Sequence, residues 1–230
     1  MLQPAQMARR LLMLGVAATA LAVAGCGSSK KAASTRSVTN PQVSAPRIAL
    51  AKQVLARSEL PQIVRPAGVR SSRSVQALVR GLDPLFQPKV VARRFRAAGF
   101  RSAAVENIVA SVPNAPTTGG FSAVVVLGSA AGAADQVKFL HARSLSRCPD
   151  VHVCDVFWKP IEVPGIPGAV GSVRWRKVDT KNGPDFRQYF VFFSLGPNGY
   201  GETIGSRYGA ISQSQFISGV TALYNRLRAG

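Results

Sequence analysis

The sequence predicts an α+β fold in which an antiparallel sheet carries helices packed on one face. Three observations favour this class. Strand-like apolar segments dominate the C-terminal half of the 230-residue chain. The turns between these segments are too short for the crossover connections that parallel strands need. Nine of the seventeen aromatic residues lie between Phe157 and Tyr200, which places the centre of the core in this strand-rich region.

Six segments carry a strand pattern of alternating or continuous apolar residues: 100–110, 121–127, 157–161, 171–178, 185–195 and 200–205. The pattern is strongest in the segment 185–195, which ends at Pro197-Asn198-Gly199. These three residues predict a hairpin turn to the next strand. A second turn cluster, from Pro164 to Gly168, separates the third segment from the fourth.

Apolar residues at helical spacing predict helices at residues 74–82, 88–98, 129–146 and from about 212 onward. Gly99 is expected to end the second helix, and Ser129 to cap the third at its N terminus. Ser212 and Gln215 have the spacing of a capping box at the start of the last helix. Residues 48–60 fit either a short helix or a strand.

The first 25 residues have the three parts of an export signal. Arg9 and Arg10 form its basic region, and residues 11–23 form an apolar stretch of about 13 residues. A helix that spans a bilayer needs about 20. The segment Val23-Ala24-Gly25-Cys26 follows, and it resembles the lipobox of bacterial lipoproteins of the actinobacterial type. An ordinary secretory signal beside a chance cysteine is the alternative, and the export route, Sec or twin-arginine, stays open.

The lipobox resemblance implies cleavage between Gly25 and Cys26 and attachment of a diacylglyceryl group to the Cys26 sulfur. Two acyl chains anchor a protein stably, whereas one binds only marginally. Residues 26–46 are rich in small polar residues and contain two prolines, which is typical of a flexible linker. Residues 47–230 lack another such stretch, so we expect a single α+β domain on the extracytoplasmic side of the cell membrane.

The order of predicted elements in residues 47–230 is similar to that of mycobacterial lipoproteins of the LpqN type. The fold of those proteins resembles the PsbP extrinsic protein of photosystem II. The similarity covers element order alone, so it implies a fold and carries over no functional residue.

Two further cysteines, Cys148 and Cys154, occur in the sequence Arg-Cys-Pro-Asp-Val-His-Val-Cys-Asp. In an exported protein such a pair normally oxidises, so we predict a disulfide bond between them. A metal site that uses Cys148, His152 and Cys154 is the alternative. Structural zinc sites need four ligands, and the chain has only one other histidine, His141.

The sequence gives little support for catalysis. It contains ten acidic residues and two histidines, and the Gly-x-Ser-x-Gly motif of α/β-hydrolases does not occur. The glycines at 165–168 and 196–201 lie between predicted strands, without the following helix that a phosphate-binding loop requires. We therefore predict a non-enzymatic protein with no catalytic residues, no metal and no cofactor.

The chain is strongly basic, with 29 Lys and Arg against 10 Asp and Glu. Lys89, Arg93 and Arg96 recur at i, i+4 and i+7 on the helix predicted at 88–98, away from its apolar face. In the strand Val173-Arg174-Trp175-Arg176, alternation predicts an inward Trp175 and outward arginines. These five cations are candidate anion-binding residues, although solvated surface charge explains the same pattern.

The leading hypothesis is a lipid-anchored envelope protein that binds an anionic lipid, an anionic envelope polymer or a protein partner. Nucleic acid is not expected, because the chain is exported and lacks a recognition motif. A second hypothesis is a sensor or solute-binding module with an apolar pocket lined by residues such as Phe190, Phe192, Trp175 and Tyr224. The third is an envelope hydrolase, which requires His141 or His152 beside a serine and a carboxylate.

Overall fold

The computed structural model of the chain describes residues 48–80, 87–111, 119–145, 156–176, 186–207 and 209–230. Cys26 and the pair Cys148 and Cys154 lie outside these residues, as does His152. The lipidation and the disulfide bond therefore stay predictions, and so do the boundaries of the signal peptide and linker.

The described residues form a seven-stranded sheet in which neighbouring strands are antiparallel. The strand order is β1-β2-β3-β7-β6-β5-β4. The strands are β1 (Val64–Ser72), β2 (Ser102–Ala110), β3 (Gly119–Val126), β4 (Val156–Ile161), β5 (Val170–Arg176), β6 (Phe186–Leu195) and β7 (Asn198–Arg207). Together with the helices, this sheet confirms the predicted α+β class.

Four α-helices accompany the sheet: α1 (Val75–Arg80), α2 (Pro88–Ala97), α3 (Ala130–Ser144) and α4 (Gln213–Ala229). The Ser129 hydroxyl accepts the Gly132 amide at 3.0 Å, which confirms the predicted cap of α3. At α4, Ser212 and Gln215 form the predicted capping box through reciprocal side-chain bonds to backbone amides. None of the helices in the described residues is long and apolar enough to cross a membrane.

The helices cover both faces of the sheet, so the prediction that they pack on one face is wrong. Alternate residues of β6 belong to two separate cores. Tyr189, Val191 and Phe193 pack in the core that contains α4, which we call the α4 face. Phe190 and Phe192 pack in the core that contains α1, α2 and α3, which we call the α1–α3 face. Because side chains alternate across a strand, each face buries its own apolar set.

Aromatic stacking stabilises the α4 face. The rings of Phe193 and Tyr200 lie parallel with their centroids 4.6 Å apart, and Tyr224 of α4 meets Phe193 edge-on at 5.7 Å. Phe216 stacks with Tyr189 at 6.1 Å. Such pairs contribute about 0.5–1.5 kcal/mol each beyond the burial of their surface. This packing fixes α4 against the centre of the sheet.

The N-terminal part of the described chain differs from its predicted form. Residues 48–60 contain two short 3-10 turns, Leu50–Lys52 and Arg57–Glu59, where a helix or a strand was predicted. The edge strand β1 follows and was not predicted. Its pairing with β2 shifts register between Pro66 and Gly68, where Gly68 has a φ of 131° that only glycine adopts readily.

Candidate anion-binding face

Helix α2 is held in place by its apolar side and by a close backbone contact at its end. Phe95 is buried and stacks on Phe100 with ring centroids 6.5 Å apart. The Gly128 amide donates to the Ala98 carbonyl at 3.0 Å. A side chain at Gly99 would lie 3.2 Å from the Gly128 backbone, so glycine permits this approach. The end of α2 is thereby fixed beside the start of α3.

The three cations predicted on α2 extend into solvent, as the helical spacing indicates. Lys89, Arg93 and Arg96 are all exposed, and none of them has an ion-pair or hydrogen-bond partner within the described residues. Val91 and Phe95 on the other side of the helix are buried. The apolar side of α2 therefore fixes the helix, and its opposite side presents positive charge that no described side chain neutralises.

Two further arginines meet on one aromatic ring between α2 and α3. The Arg94 guanidinium carbon lies 4.8 Å from the centroid of the Phe139 ring, and that of Arg143 lies 5.7 Å from it. Cation–π attraction to the same ring offsets the repulsion between the two like charges. This contact joins the charge of α2 to that of α3.

Helices α1, α2 and α3 together form a positively charged layer, which we call the basic layer. Within their described residues they carry seven basic side chains and one acidic one, Asp135. The basic members are Arg80, Lys89, Arg93, Arg94, Arg96, Lys138 and Arg143. Elsewhere in the described residues, Glu106 and Glu202 are buried and Glu59 is paired with Arg226. Among the acidic residues that the structure describes, only Asp135 and Glu162 therefore remain exposed and unpaired.

The two predicted cations of β5 do not join the basic layer in the same way. Arg174 is partly buried, its guanidinium lies 5.2 Å from the Trp158 ring and 5.8 Å from the Phe190 ring, and it donates to the Gln188 side chain. The expectation that it points into solvent is wrong because the opposite face of the sheet is covered as well. The backbone of Arg176 pairs with Val156 and Phe186. Its side chain is not among those that the structure describes.

The α4 face contains a buried polar network. The Gln53 side-chain oxygen accepts the Tyr200 hydroxyl at 2.7 Å and the Asn198 amide at 2.9 Å. All three residues are buried. Burial raises the pKa of Tyr200 above its usual range, while its bond with Asn198 acts in the opposite direction. The phenol is therefore neutral and donates to Gln53.

Glu202 lies in the same face and is completely buried. Ser122 is directly across the β3–β7 ladder, but its hydroxyl accepts the Leu55 amide at 2.8 Å. Neither Glu202 carboxyl oxygen has a well-formed hydrogen bond within the described residues. Desolvation therefore raises the pKa of Glu202 well above its usual range, and the nearby Ser122 hydroxyl only partly opposes that increase.

An ion pair closes the edge of this network. Arg226 of α4 contacts both carboxylate oxygens of Glu59, at 2.6 and 2.9 Å, and also donates to the carbonyls of Lys52 and Val54. The hydrogen bond with Glu59 raises the pKa of Arg226. The pair holds residues 52–59 against α4, so its role is structural.

Within the described residues, the imidazole ring of His141 has no hydrogen bond to a serine hydroxyl or a carboxylate, which a hydrolase would need. Its Nε2 donates to the Gly171 carbonyl at 3.0 Å. The nearby Ser144 and Ser172 hydroxyls bond to each other at 2.6 Å, and Ser144 also donates to the His141 carbonyl. Among the described residues, no group of three or more His, Cys, Asp or Glu side chains is placed to hold a metal ion.

The apolar pocket expected from four aromatic residues does not form. Phe190 and Phe192 belong to the α1–α3 core, whereas Trp175 and Tyr224 belong to the α4 core, so the sheet separates the two pairs. Phe192 lines a cavity of about 30 Å³ beneath the basic layer, together with Leu78, Phe95 and Gln136. That volume is about the size of one water molecule.

Comparisons with known proteins give one structural likeness. No protein-family model matches the chain, and no curated protein matches it. The extracellular domain of PknH from Mycobacterium tuberculosis is similar in structure, with a TM-score of 0.50 and 14% sequence identity. The match covers 79% of this chain and 98% of that domain. What the two share is the fold.

Sequence reasoning found part of the basic layer and missed the rest. The i, i+4, i+7 spacing located Lys89, Arg93 and Arg96 on α2. The i, i+4 pair Phe139 and Arg143 on α3 is a comparable signal that was not used. Arg94 could not have been assigned to Phe139, because the contact depends on how α2 and α3 pack.

Proposed function

We propose that this chain is a non-catalytic, lipid-anchored protein of the cell envelope, and that its basic layer binds the anionic headgroups of the membrane that holds its anchor. The observation that carries the proposal is the exposed, unpaired charge on α2, continuous with that of α3 through the Phe139 contact. Each Lys or Arg near an anionic bilayer contributes about 1 kcal/mol of attraction.

Extracytoplasmic location is part of this proposal. The lipobox-like segment ending at Cys26 supports it, and the likeness in fold to an extracellular domain agrees with it. The flexible linker predicted for the 20 residues 27–46 would have a root-mean-square length of about 25 Å. That distance lets a domain anchored at Cys26 reach the headgroups of the same bilayer.

Vesicle binding of charge-neutralised variants tests the proposal. The full chain with Lys89→Gln, Arg93→Gln and Arg96→Gln is compared with wild type on anionic and on zwitterionic vesicles. We expect the variant to bind anionic vesicles at least tenfold more weakly at about 0.1 M salt, and zwitterionic vesicles equally. Because all versions share the same N-terminal segment, the difference reports the basic layer alone.

The matched control removes three exposed cations outside the basic layer, with Lys159→Gln, Arg207→Gln and Arg228→Gln. It lowers the net charge by the same amount and should change binding less than threefold. An equal loss in both variants would contradict the proposal, because net charge alone would then govern binding. If the wild type binds an envelope protein but not anionic vesicles, the basic layer would instead be a surface for a protein partner.

A further inference from the structure

A groove lies at the β1 edge of the sheet and shares Arg80 with the basic layer. It has a volume of about 440 Å³, and residues of β1, α1 and β2 line it. The lining residues are Arg70, Ser71, Ser72, Ala77, Leu78, Arg80, Ala103, Val105 and Asn107. Small-molecule sites commonly occupy clefts of about 300–1,000 Å³, so the groove is large enough for a small ligand.

Two arginines from different elements line the groove. Arg70 lies on β1 directly across from Val105, and Arg80 ends α1. Both are exposed, and neither has a hydrogen-bond or ion-pair partner among the described residues. A guanidinium presents several N–H donors in a fixed plane that matches a phosphate or carboxylate. The groove therefore offers two sets of donors for an oxyanion.

The acid closest to the groove along β2 does not neutralise it. Glu106 lies between the lining residues Val105 and Asn107, so its side chain leaves the opposite side of the sheet. It is buried there, and its carboxylate accepts the Gly68 amide at 2.6 Å. The charge of Arg70 and Arg80 is consequently uncompensated by any described carboxylate that lines the groove.

Four apolar residues also line the groove, and we call them its apolar floor: Ala77, Leu78, Ala103 and Val105. Leu78 is buried and also lines the small cavity beneath the basic layer. A second depression of about 540 Å³ shares Arg70 and Asn107 with the groove. The lining thus combines two cations, an apolar floor and polar residues such as Asn107.

We propose that this groove binds a small amphipathic anion, in which a phosphate or carboxylate group is joined to an apolar body. Arg70 and Arg80 bind the oxyanion, and the apolar body lies over Ala77, Leu78 and Val105. This site shares Arg80 with the basic layer, but none of the three α2 cations on which the proposed membrane binding rests lines it. The inference therefore stands whether or not the basic layer binds membranes.

Calorimetric titration of the purified full chain with octyl phosphate, below its micelle concentration, tests the proposal. We expect saturable binding of one equivalent, at least tenfold weaker binding of inorganic phosphate and glucose 1-phosphate, and no binding of octyl glucoside. Octanoate should bind as well, because a carboxylate also fits a guanidinium. Equal affinity for glucose 1-phosphate would overturn the proposal, because the apolar floor would then contribute nothing.

Substitutions in and outside the groove test whether octyl phosphate binds there. Arg70→Gln and Arg80→Gln should each weaken octyl phosphate binding about tenfold or more, since each removes a charge-assisted hydrogen bond. Ala77→Glu places a carboxylate in the groove on an exposed helical position and should abolish binding while the helical circular dichroism is kept. Arg207→Gln removes one exposed charge outside the groove and should leave the affinity within twofold. Loss of affinity in Arg207→Gln equal to that in Arg70→Gln would overturn the assignment to this groove.

Discussion

The two faces of the sheet differ most in where their charged residues lie. On the α4 face, the buried side chains of Gln53, Asn198 and Tyr200 bond to one another. On the α1–α3 face, polar residues such as Gln188 and Thr203 are buried and bonded as well, but the cations of α2 lie outside in solvent. Buried polar groups specify one arrangement of the chain, whereas exposed cations are available to a partner. The difference supports a structural role for the α4 face and the proposed binding role for the basic layer.

Arg226→Ala should give the largest loss of stability, because it leaves the Glu59 carboxylate without its partner and removes two bonds to carbonyls. Glu59 is 7% exposed and Arg226 is 32% exposed, so we expect a loss of about 3 kcal/mol rather than the larger cost of a fully buried pair. Urea unfolding measures it. Arg228→Ala, two residues further along on the exposed side of α4, should cost less than about 1 kcal/mol. Similar losses of stability in both variants would show that the ion pair between Arg226 and Glu59 makes no special contribution to stability.

Gln53→Ala should destabilise the domain by about 1–3 kcal/mol, because it leaves the buried Tyr200 hydroxyl and Asn198 amide without their hydrogen-bond acceptor. The urea concentration at the midpoint of unfolding should fall, while the dependence of the unfolding free energy on urea concentration should not change. Lys52→Ala, at the neighbouring exposed position, serves as the control and should change stability by less than about 0.5 kcal/mol. If Gln53→Ala is as stable as the control, the network does not hold the N-terminal segment.

Glu202→Gln should have the smallest effect, and one that depends on pH. Desolvation by burial raises the pKa of Glu202 in the folded state, so the folded protein holds its proton more tightly than the unfolded chain does. This contribution to stability is fully present below about pH 4 and is lost as the pH rises through the folded pKa. The neutral amide of Glu202→Gln mimics the protonated acid, so the variant should gain melting temperature relative to wild type as the pH increases from about 4 to about 8.

Thermal unfolding of both proteins at matched pH values measures this difference. Equal melting temperatures across the range would mean that Glu202 ionises as easily in the folded state as in the unfolded one.

The sequence predicted the elements better than their arrangement. The caps at Ser129 and Ser212 follow local rules, so both helix starts were found. The unbroken apolar run Tyr189–Phe193 in β6 is the pattern of a strand buried on both faces, yet helices were expected on one face only. Strand β1 was missed because Pro66 and Gly68 interrupt its pattern at the register shift.

The candidate sites depend on contacts that a sequence pattern does not carry. Gln53 and Tyr200 are 147 positions apart, and Arg94 meets Phe139 only because α2 packs beside α3. Alternation correctly placed Arg174 and Trp175 on opposite faces of β5, but it could not show that both faces are covered. Local periodicity therefore located exposed cations on a helix and failed for Arg174 on β5.

Relaxation enhancement by a gadolinium lipid tests the assignment of binding to one face most directly. The full chain is bound to anionic vesicles that contain the paramagnetic lipid, and amide NMR signals are compared with those on diamagnetic vesicles. We predict that amides of α2 and α3 broaden most, while those of α4 broaden least, because the two sets lie on opposite sides of the sheet. Broadening of α4 equal to or greater than that of α2 would contradict the account.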